Sequence, residues 1–284
     1  EGDEFEPAID RSYDVIKDIP CTPEEIVQII REAGIVGMGG AGYPTPIKAA
    51  VPHEKKPDYL ILNGIECEPF LTADDRLMIE RAEQIIVGAK IINKVLGIQN
   101  AIIAVDENKP EAIEILTNIS RRYVGVNVQV CATKYPQGGE KQLIQAITGR
   151  EVPPGKLPID IGCIVQNVGT VYAIYEAVMK HKPLFERIVT ISGDACARPG
   201  NYLVRVGTPA SFLIEQCGGV SEDVDQVIFG GPMMGTSAVN INAPITKLTS
   251  GILLLSRRIT ARPEEGPCIR CGKCIHSCPF GAIG

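Results

Sequence analysis

The 284-residue chain contains no long apolar run, no long basic run and no secretory leader pattern. Its apolar stretches, such as Gly251 to Leu255, fall far short of the ~20 residues that cross a bilayer. Direct membrane insertion is therefore not expected, and nothing at the start reads as a signal peptide. The formal net charge is −6, so a nucleic-acid surface is not expected. Three histidines, His53, His181 and His276, suggest no catalytic triad, and no serine nucleophile elbow or zinc-protease helix occurs. Charged residues make up 22% and hydrophobic residues 45%, which excludes a disordered chain.

Glycine, proline and cysteine are plentiful by contrast. The 29 glycines and 21 prolines exceed ordinary usage and cluster between apolar segments, so they read as loops. Ten cysteines could staple a small scaffold, but a chain this long buries a core without staples. Cys21, Cys67, Cys131, Cys163, Cys196 and Cys217 are scattered singly, while Cys268, Cys271, Cys274 and Cys278 crowd together. That is the pattern of a reduced cytosolic protein with one metal motif. The chain begins at Glu1 and ends at Gly284, soon after the motif, and is read as a fragment.

The spacing Cys268-x2-Cys271-x2-Cys274-x3-Cys278-Pro279 is that of a bacterial ferredoxin run, whose thiolates wrap a [4Fe–4S] cube. Zinc and a disulfide pair are the alternatives, but zinc ligands usually fall in two separated pairs. In two-cluster ferredoxins the fourth cysteine ligates the other cluster. Either a second run lies downstream, or Cys278 completes a lone cluster. His276, inside the run, reads as a spacer.

Patterning predicts a mostly parallel α/β domain over 23–185, after an acidic, poorly patterned segment over 1–22. Thr22, Pro23 and Glu25 form a capping-box start to a helix that Ala33-Gly34 ends. Short buried strands are expected at Tyr59–Leu62, Ala101–Val105, Val126–Cys131 and Ile161–Val165. Met78, Ala82, Ile85, Ala89 and Ile92 keep the helical period as one helix closed by Gly97. Further helices follow Pro110, end at Gly149 and start after Thr170. Alternating strand and helix implies a parallel sheet covered on both faces.

The rhythm then shifts to strands at Arg187–Ser192, Tyr202–Val206 and Gln226–Phe229, with one short helix at Ser211–Gln216. This predicts a compact α+β module over 186–250. Ile252–Leu255 is either its last strand or a connection. Thr260 to Pro267 reads as a linker, and 251–284 as linker plus the start of a ferredoxin-like segment.

Gly37-Met38-Gly39-Gly40-Ala41-Gly42 formally matches G-x-G-x-x-G but follows a helix rather than a strand, which argues against a Rossmann dinucleotide site. It feeds a short helix capped by Thr45-Pro46 with Lys48 in its first turn, an arrangement that favours an anion such as a phosphate. A tight multi-glycine turn is the alternative. Ligands of open α/β sheets bind at the carboxyl ends of strands. There lie Asn63-Gly64-Ile65-Glu66-Cys67-Glu68-Pro69 after the first strand, Tyr135 to Lys141 after the third, and Gln166-Asn167 after the fourth. Surface charge is the plainer reading of Glu66, Glu68 and Lys141 taken singly. Met233-Met234 sits in a G-G-P-M-M-G turn read as a close backbone approach.

Gly37–Lys48 (GMGGAGYPTPIK) resembles the flavin-binding loop of the NADH-oxidising, FMN-bearing subunit of respiratory complex I, and Asn63–Glu68 resembles its acidic segment. With T-A-D-D-R-L-M at Thr72–Met78 and Y-P-Q-G-G-E-K-Q-L at Tyr135–Leu143, the chain resembles more closely the C subunit of the Rnf complex. That complex is a membrane-bound ferredoxin:NAD oxidoreductase that pumps Na+ or H+. Arg187–Val239 resembles the soluble-ligand-binding β-grasp module of the same subunit. The resemblance implies FMN and NAD(H) as cofactors, two [4Fe–4S] clusters in the full protein, and an oxidoreductase function. Its partners would be other membrane subunits relaying ferredoxin-derived electrons, and its place the cytoplasmic face of the membrane, peripherally.

The resemblance further implies that Gly37, Gly39, Gly40 and Gly42 approach the flavin, with Lys48 near its polar groups. Asn63, Glu66 and Glu68 would line the flavin and ribityl side, and Tyr135, Gly138, Glu140 and Asn167 would close the pocket. Cys268, Cys271, Cys274 and Cys278 would be the cluster ligands. A flavin needs no side-chain acid or base to exchange hydride with NAD(H), so no catalytic side chain is named. Met38 stands where complex I has arginine, and Gly139 where it has the first of two glutamates. A flavin-dependent corrinoid reductase and a non-catalytic cluster-carrying scaffold are the rival readings.

Overall fold

The structure, a computed structural model, describes residues 4–283 except 53, 222, 262–265 and 280. His53 and half of the expected linker, residues 262–265, lie outside these residues.

The first helix, α1 (Pro23–Glu32), begins as its sequence dictates. Thr22 Oγ1 accepts the Glu25 amide at 3.3 Å, and Glu25 Oε2 accepts the Thr22 amide at 2.7 Å. A short helix α2 (Thr45–Ala49) follows the glycine loop. Its cap differs from expectation: Pro44 holds the N-cap, Thr45 is the first helical residue, and no side chain caps it. Strand β1 (Tyr59–Gly64) leads to α3 (Ala73–Glu80) and α4 (Ala82–Leu96). The single helix expected here is thus two, because Arg81 leaves helical geometry at φ −129° and ψ 28°. Apolar periodicity runs across this break because both pieces bury the same side. Gly97, in left-handed geometry, closes α4.

β2 (Ala101–Asp106), α5 (Pro110–Ser120), β3 (Val126–Cys131) and α6 (Glu140–Thr148) complete the pattern, with β4 (Cys163–Asn167) and α7 (Val168–Lys180) after a 3₁₀ turn at Pro158–Ile161. β4 begins two residues later than expected, because Ile161 belongs to that turn. α7 begins before Thr170, because Asn167 Oδ1 accepts the amides of Gly169 and Thr170 and so caps the helix earlier. The sheet order is β3-β2-β1-β4, all parallel.

Strand period 2 sorts the core. Leu60, Leu62, Ile103 and Val105 join the main cluster with α1, α3, α4, α5 and α7. Ile61, Ala104 and Val165 face the other way, onto Leu143 and Ile144 of α6. Both faces are covered, one by a single helix. The segment before α1 is anchored as well: Tyr175 Oη donates to Asp14 O and accepts from the Ile16 amide, and Lys180 Nζ meets Asp10 Oδ2 at 3.0 Å.

The second sheet comprises β5 (Glu186–Ser192), β6 (Gly200–Arg205), β7 (Val224–Phe229), β8 (Thr236–Ser237) and β9 (Gly251–Ser256), with α8 (Ala210–Gln216) on one face. Its order is β6-β5-β9-β7-β8. β9 pairs parallel to β5 and antiparallel to β7, so the Ile252–Leu255 stretch is the middle strand of this sheet and not a connection. Its other face packs Ile228, Leu253 and Leu255 on Leu71 of the first domain. Two short helices follow, α9 (Arg257–Thr260) and α10 (Lys273–Ser277).

Candidate functional site

Parallel pairing puts the carboxyl ends of β1 to β4 on one edge, and the glycine loop joins them there. The Gly37 amide donates to Tyr43 O at 2.9 Å, and the Met38 amide to Thr170 Oγ1 at 3.0 Å. Gly39, Gly40 and Ala41 are exposed, and their amides have no partner among the described residues. A Cβ on Gly39 would lie 2.8 Å from Asn167 Cβ, whereas one on Gly40 would meet nothing within 4 Å. Gly42, at φ +70°, packs under Leu248. The loop therefore presses on β4's end and turns free donors outward.

Three more contacts bring the expected residues together. Asn63 Nδ2 donates to Gly138 O at 2.8 Å, joining the ends of β1 and β3. Lys48 Nζ meets Glu140 Oε1 at 2.7 Å, joining α2 to α6. Asn167 Nδ2 donates to Asp74 Oδ2 at 2.7 Å. Gly138 lies against Cys67, and Tyr135, followed by a cis Pro136, stays exposed.

Glu66 and Glu68 act differently from each other. Glu66, at φ 44°, turns its carboxylate onto the start of α3, accepting the amides of Asp74 at 2.8 Å and Asp75 at 3.0 Å. Burial, and then the charge of Asp74, push it up to about 7, while Lys109 opposes the shift from 3.5 Å. Glu68 reaches instead to the second module, accepting the amides of Met233 at 3.0 Å and Met234 at 2.8 Å. The G-G-P-M-M-G turn is thus the close approach its glycines suggest, with Glu68 as its acceptor.

A cavity of about 380 Å³ opens at this edge, lined in part by Glu66, Glu68, Asp75, Asp106, Lys109 and Tyr135. It does not reach the glycine loop, Asn63, Glu140 or Asn167. Asp106 Oδ1 and Asp75 Oδ1 are buried there without a hydrogen-bond partner, and burial pushes Asp106 up to about 6. Asp106 and Lys109 went unnamed in the sequence although their signal was present: they follow β2 as the named loops follow β1, β3 and β4. Asp74 was read only as part of the Thr72–Met78 run, and Arg187 of the second module carried no local signal.

The four clustered cysteines are described but not assembled. Cys268, Cys271 and Cys274 are exposed, and among the described residues no three Cys, His, Asp or Glu side chains converge as metal ligands.

An open parallel sheet with a glycine-rich loop at its carboxyl edge, joined to a small mixed sheet, defines a two-module α/β protein. Residues 30–176 match the Nuo51 FMN-binding domain and residues 188–237 the SLBB domain. The chain belongs to the Nuo51 FMN-binding domain family. It is 50% identical over 259 residues to the C subunit of the proton-translocating ferredoxin:NAD(+) oxidoreductase complex of Clostridium ljungdahlii, a match covering 90% of this chain and 56% of that protein. It is 44% identical over 278 residues to the C subunit of the Na(+)-translocating ferredoxin:NAD(+) oxidoreductase complex of Acetobacterium woodii, covering 98% and 62%. The chain thus spans about three fifths of the length of these curated relatives. A crystal structure of an NAD+-reducing [NiFe]-hydrogenase in its H2-reduced state superposes with a TM-score of 0.66 at 23% identity, over 83% of this chain and 47% of that one, and shares the fold.

Proposed function

We propose that this chain is the flavin-bearing part of an electron-transfer subunit in a membrane-associated ferredoxin:NAD oxidoreductase of the Rnf type. The observation that carries the reading is the Gly39–Ala41 stretch, three unpartnered outward amides on a loop whose Gly40 has open space where a side chain would stand. That cradle fits an anionic phosphate group. The donor chemistry around it fits FMN as well, and the match of residues 30–176 to the Nuo51 FMN-binding domain supports it. No helix among the described residues is long and apolar enough to cross a membrane, so attachment would come through partner subunits.

Bound FMN would exchange hydride with a nicotinamide and pass electrons singly to an iron–sulfur centre. The chain's own residues supply position and charge. The Gly39, Gly40 and Ala41 amides bind the phosphate, and Lys48, spending one donor on Glu140, keeps two N–H groups for the ligand. Asn63 fixes Gly138 by a hydrogen bond, and Gly39 packs on Asn167, so contacts within the protein set the loops at this edge. Burial raises the Glu66 carboxyl, and the Lys109 ammonium and the Asp74 and Asp75 amides answer its charge. The cysteine run is proposed as the cluster site on its spacing alone, and no electron step is derived through it.

FMN titration followed by visible absorption and flavin fluorescence tests the reading. Saturable uptake near one FMN per chain, with bleaching on addition of NADH, is expected. A chain that stays colourless and leaves free FMN fluorescence unchanged overturns it and favours the scaffold reading.

A further inference from the structure

We propose that the second module is a structural arm of the flavin site, and that Arg187 of β5 is a positioning residue that keeps the Gly37–Gly42 loop in its binding geometry. The proposal rests on the FMN reading above.

Two contacts reach from the second module to that loop, and a third holds them in place. Lys247 Nζ donates to Gly34 O at 2.6 Å, just before the loop begins. Leu248 covers its end, so close that a Cβ on Gly42 would lie 2.9 Å from Leu248 Cδ2. Between them stands Arg187, whose guanidinium is buried and donates to Lys247 O and, at 3.2 Å, to Ile188 O. Arg187 thereby holds the Lys247–Leu248 segment, which meets the loop at both of its ends.

The loop floor has its own hydrogen-bonded series, which begins at Asp74. Asp74 Oδ2 accepts from Asn167 Nδ2, and Asn167 Oδ1 accepts the amides of Gly169 and Thr170. Thr170 Oγ1 accepts the Met38 amide, and Gly39 leans on the Asn167 side chain. Every contact from Asp74 to Met38 is thus between buried or half-buried polar groups with specific partners. Burial pushes the Asp74 carboxyl upward, and the Asn167 hydrogen bond and the charge of Arg187 hold it back. Without the guanidinium, Lys247 O loses its buried donor and the Lys247–Leu248 segment loses its anchor. That segment supplies the donor to Gly34 O and the cover over Gly42, so both ends of the loop loosen together. The arm acts on cofactor geometry without touching the cofactor.

The test uses the full chain loaded with FMN. Arg187→Met removes the charge, Arg187→Lys keeps it, and Leu248→Ala removes only the partly exposed cover over Gly42. Arg187→Met is expected to weaken FMN binding by about tenfold or more and to shift the bound-flavin absorption band. Arg187→Lys should recover much of both, which a merely structural loss would not do. Leu248→Ala, at a partly exposed position, should weaken FMN binding severalfold even where Arg187→Met fails to fold. Retention of FMN affinity within twofold and an unchanged spectrum in the folded variants overturn the proposal while the FMN reading stands. Failure of the wild-type chain to bind FMN overturns both.

Discussion

Glu68 receives the amide of Met234 at 2.8 Å although the two residues stand 166 positions apart. Its other oxygen takes the Met233 amide, so one carboxylate of the first domain caps a turn of the second. Gly231 makes this possible, because a Cβ there would collide with the Glu68 carboxylate.

That relationship is measurable as a coupling. Glu68→Ala is expected to cost about 1 to 3 kcal/mol by orphaning two amides, and Gly231→Ala a similar amount by expelling the carboxylate. The double variant should lose less than the two singles together, with a coupling near 1 kcal/mol. Urea unfolding of the four proteins checks this. Strict additivity would mean that the carboxylate does not hold the turn.

Gly40 and Gly39 separate binding from folding. Gly40→Asp meets no neighbour, so its melting temperature should match the wild type while FMN uptake disappears through lost space and charge repulsion. Gly39→Ala crowds Asn167 and should cost about 1 to 3 kcal/mol of stability. Equal FMN affinity in Gly40→Asp would remove the loop from the site.

Glu66 and Asp106 give the fold a pH signature. In the folded chain burial holds them at about 7 and about 6, above their ordinary values of 4.5 and 3.8. Over that window the unfolded chain has released protons that the folded chain keeps. Their contribution is therefore fully present below the ordinary values and is lost as pH rises through about 7. Glu66→Gln should flatten the decline in urea midpoint between about pH 5 and pH 7.5. Parallel profiles for variant and wild type would count against the burial of a protonated Glu66.

Cys271→Ser tests the cysteine run. Anaerobic reconstitution with iron and sulfide is expected to load about four irons per wild-type chain and almost none on the variant. Zinc uptake without sulfide incorporation would instead favour a zinc knot.

Much of this arrangement was legible in the sequence because it is local. The Thr22–Glu25 box, the Gly97 and Gly149 stops and the period-2 face of β1 are each set by neighbouring residues. The break at Arg81 was hidden because Leu77, Met78, Ala82 and Ile85 bury one continuous apolar side across it. Glu68 illustrates the converse: its motif placed it at the strand edge, yet its partner is a turn brought near only by the packing of β7 and β9. Lys247 and Gly34 met through the same docking, and no spacing rule relates them.

Because β9 is the middle strand of its sheet, the chain leaves the second module from a fixed point. The eight peptide steps from Thr260 to Cys268 span at most about 29 Å when fully extended. Any redox centre built on Cys268 is therefore on a short leash, confined to a small sphere around the end of α9. Its distance from the glycine loop has an upper bound set by covalent geometry, whatever partner later fixes the segment in place.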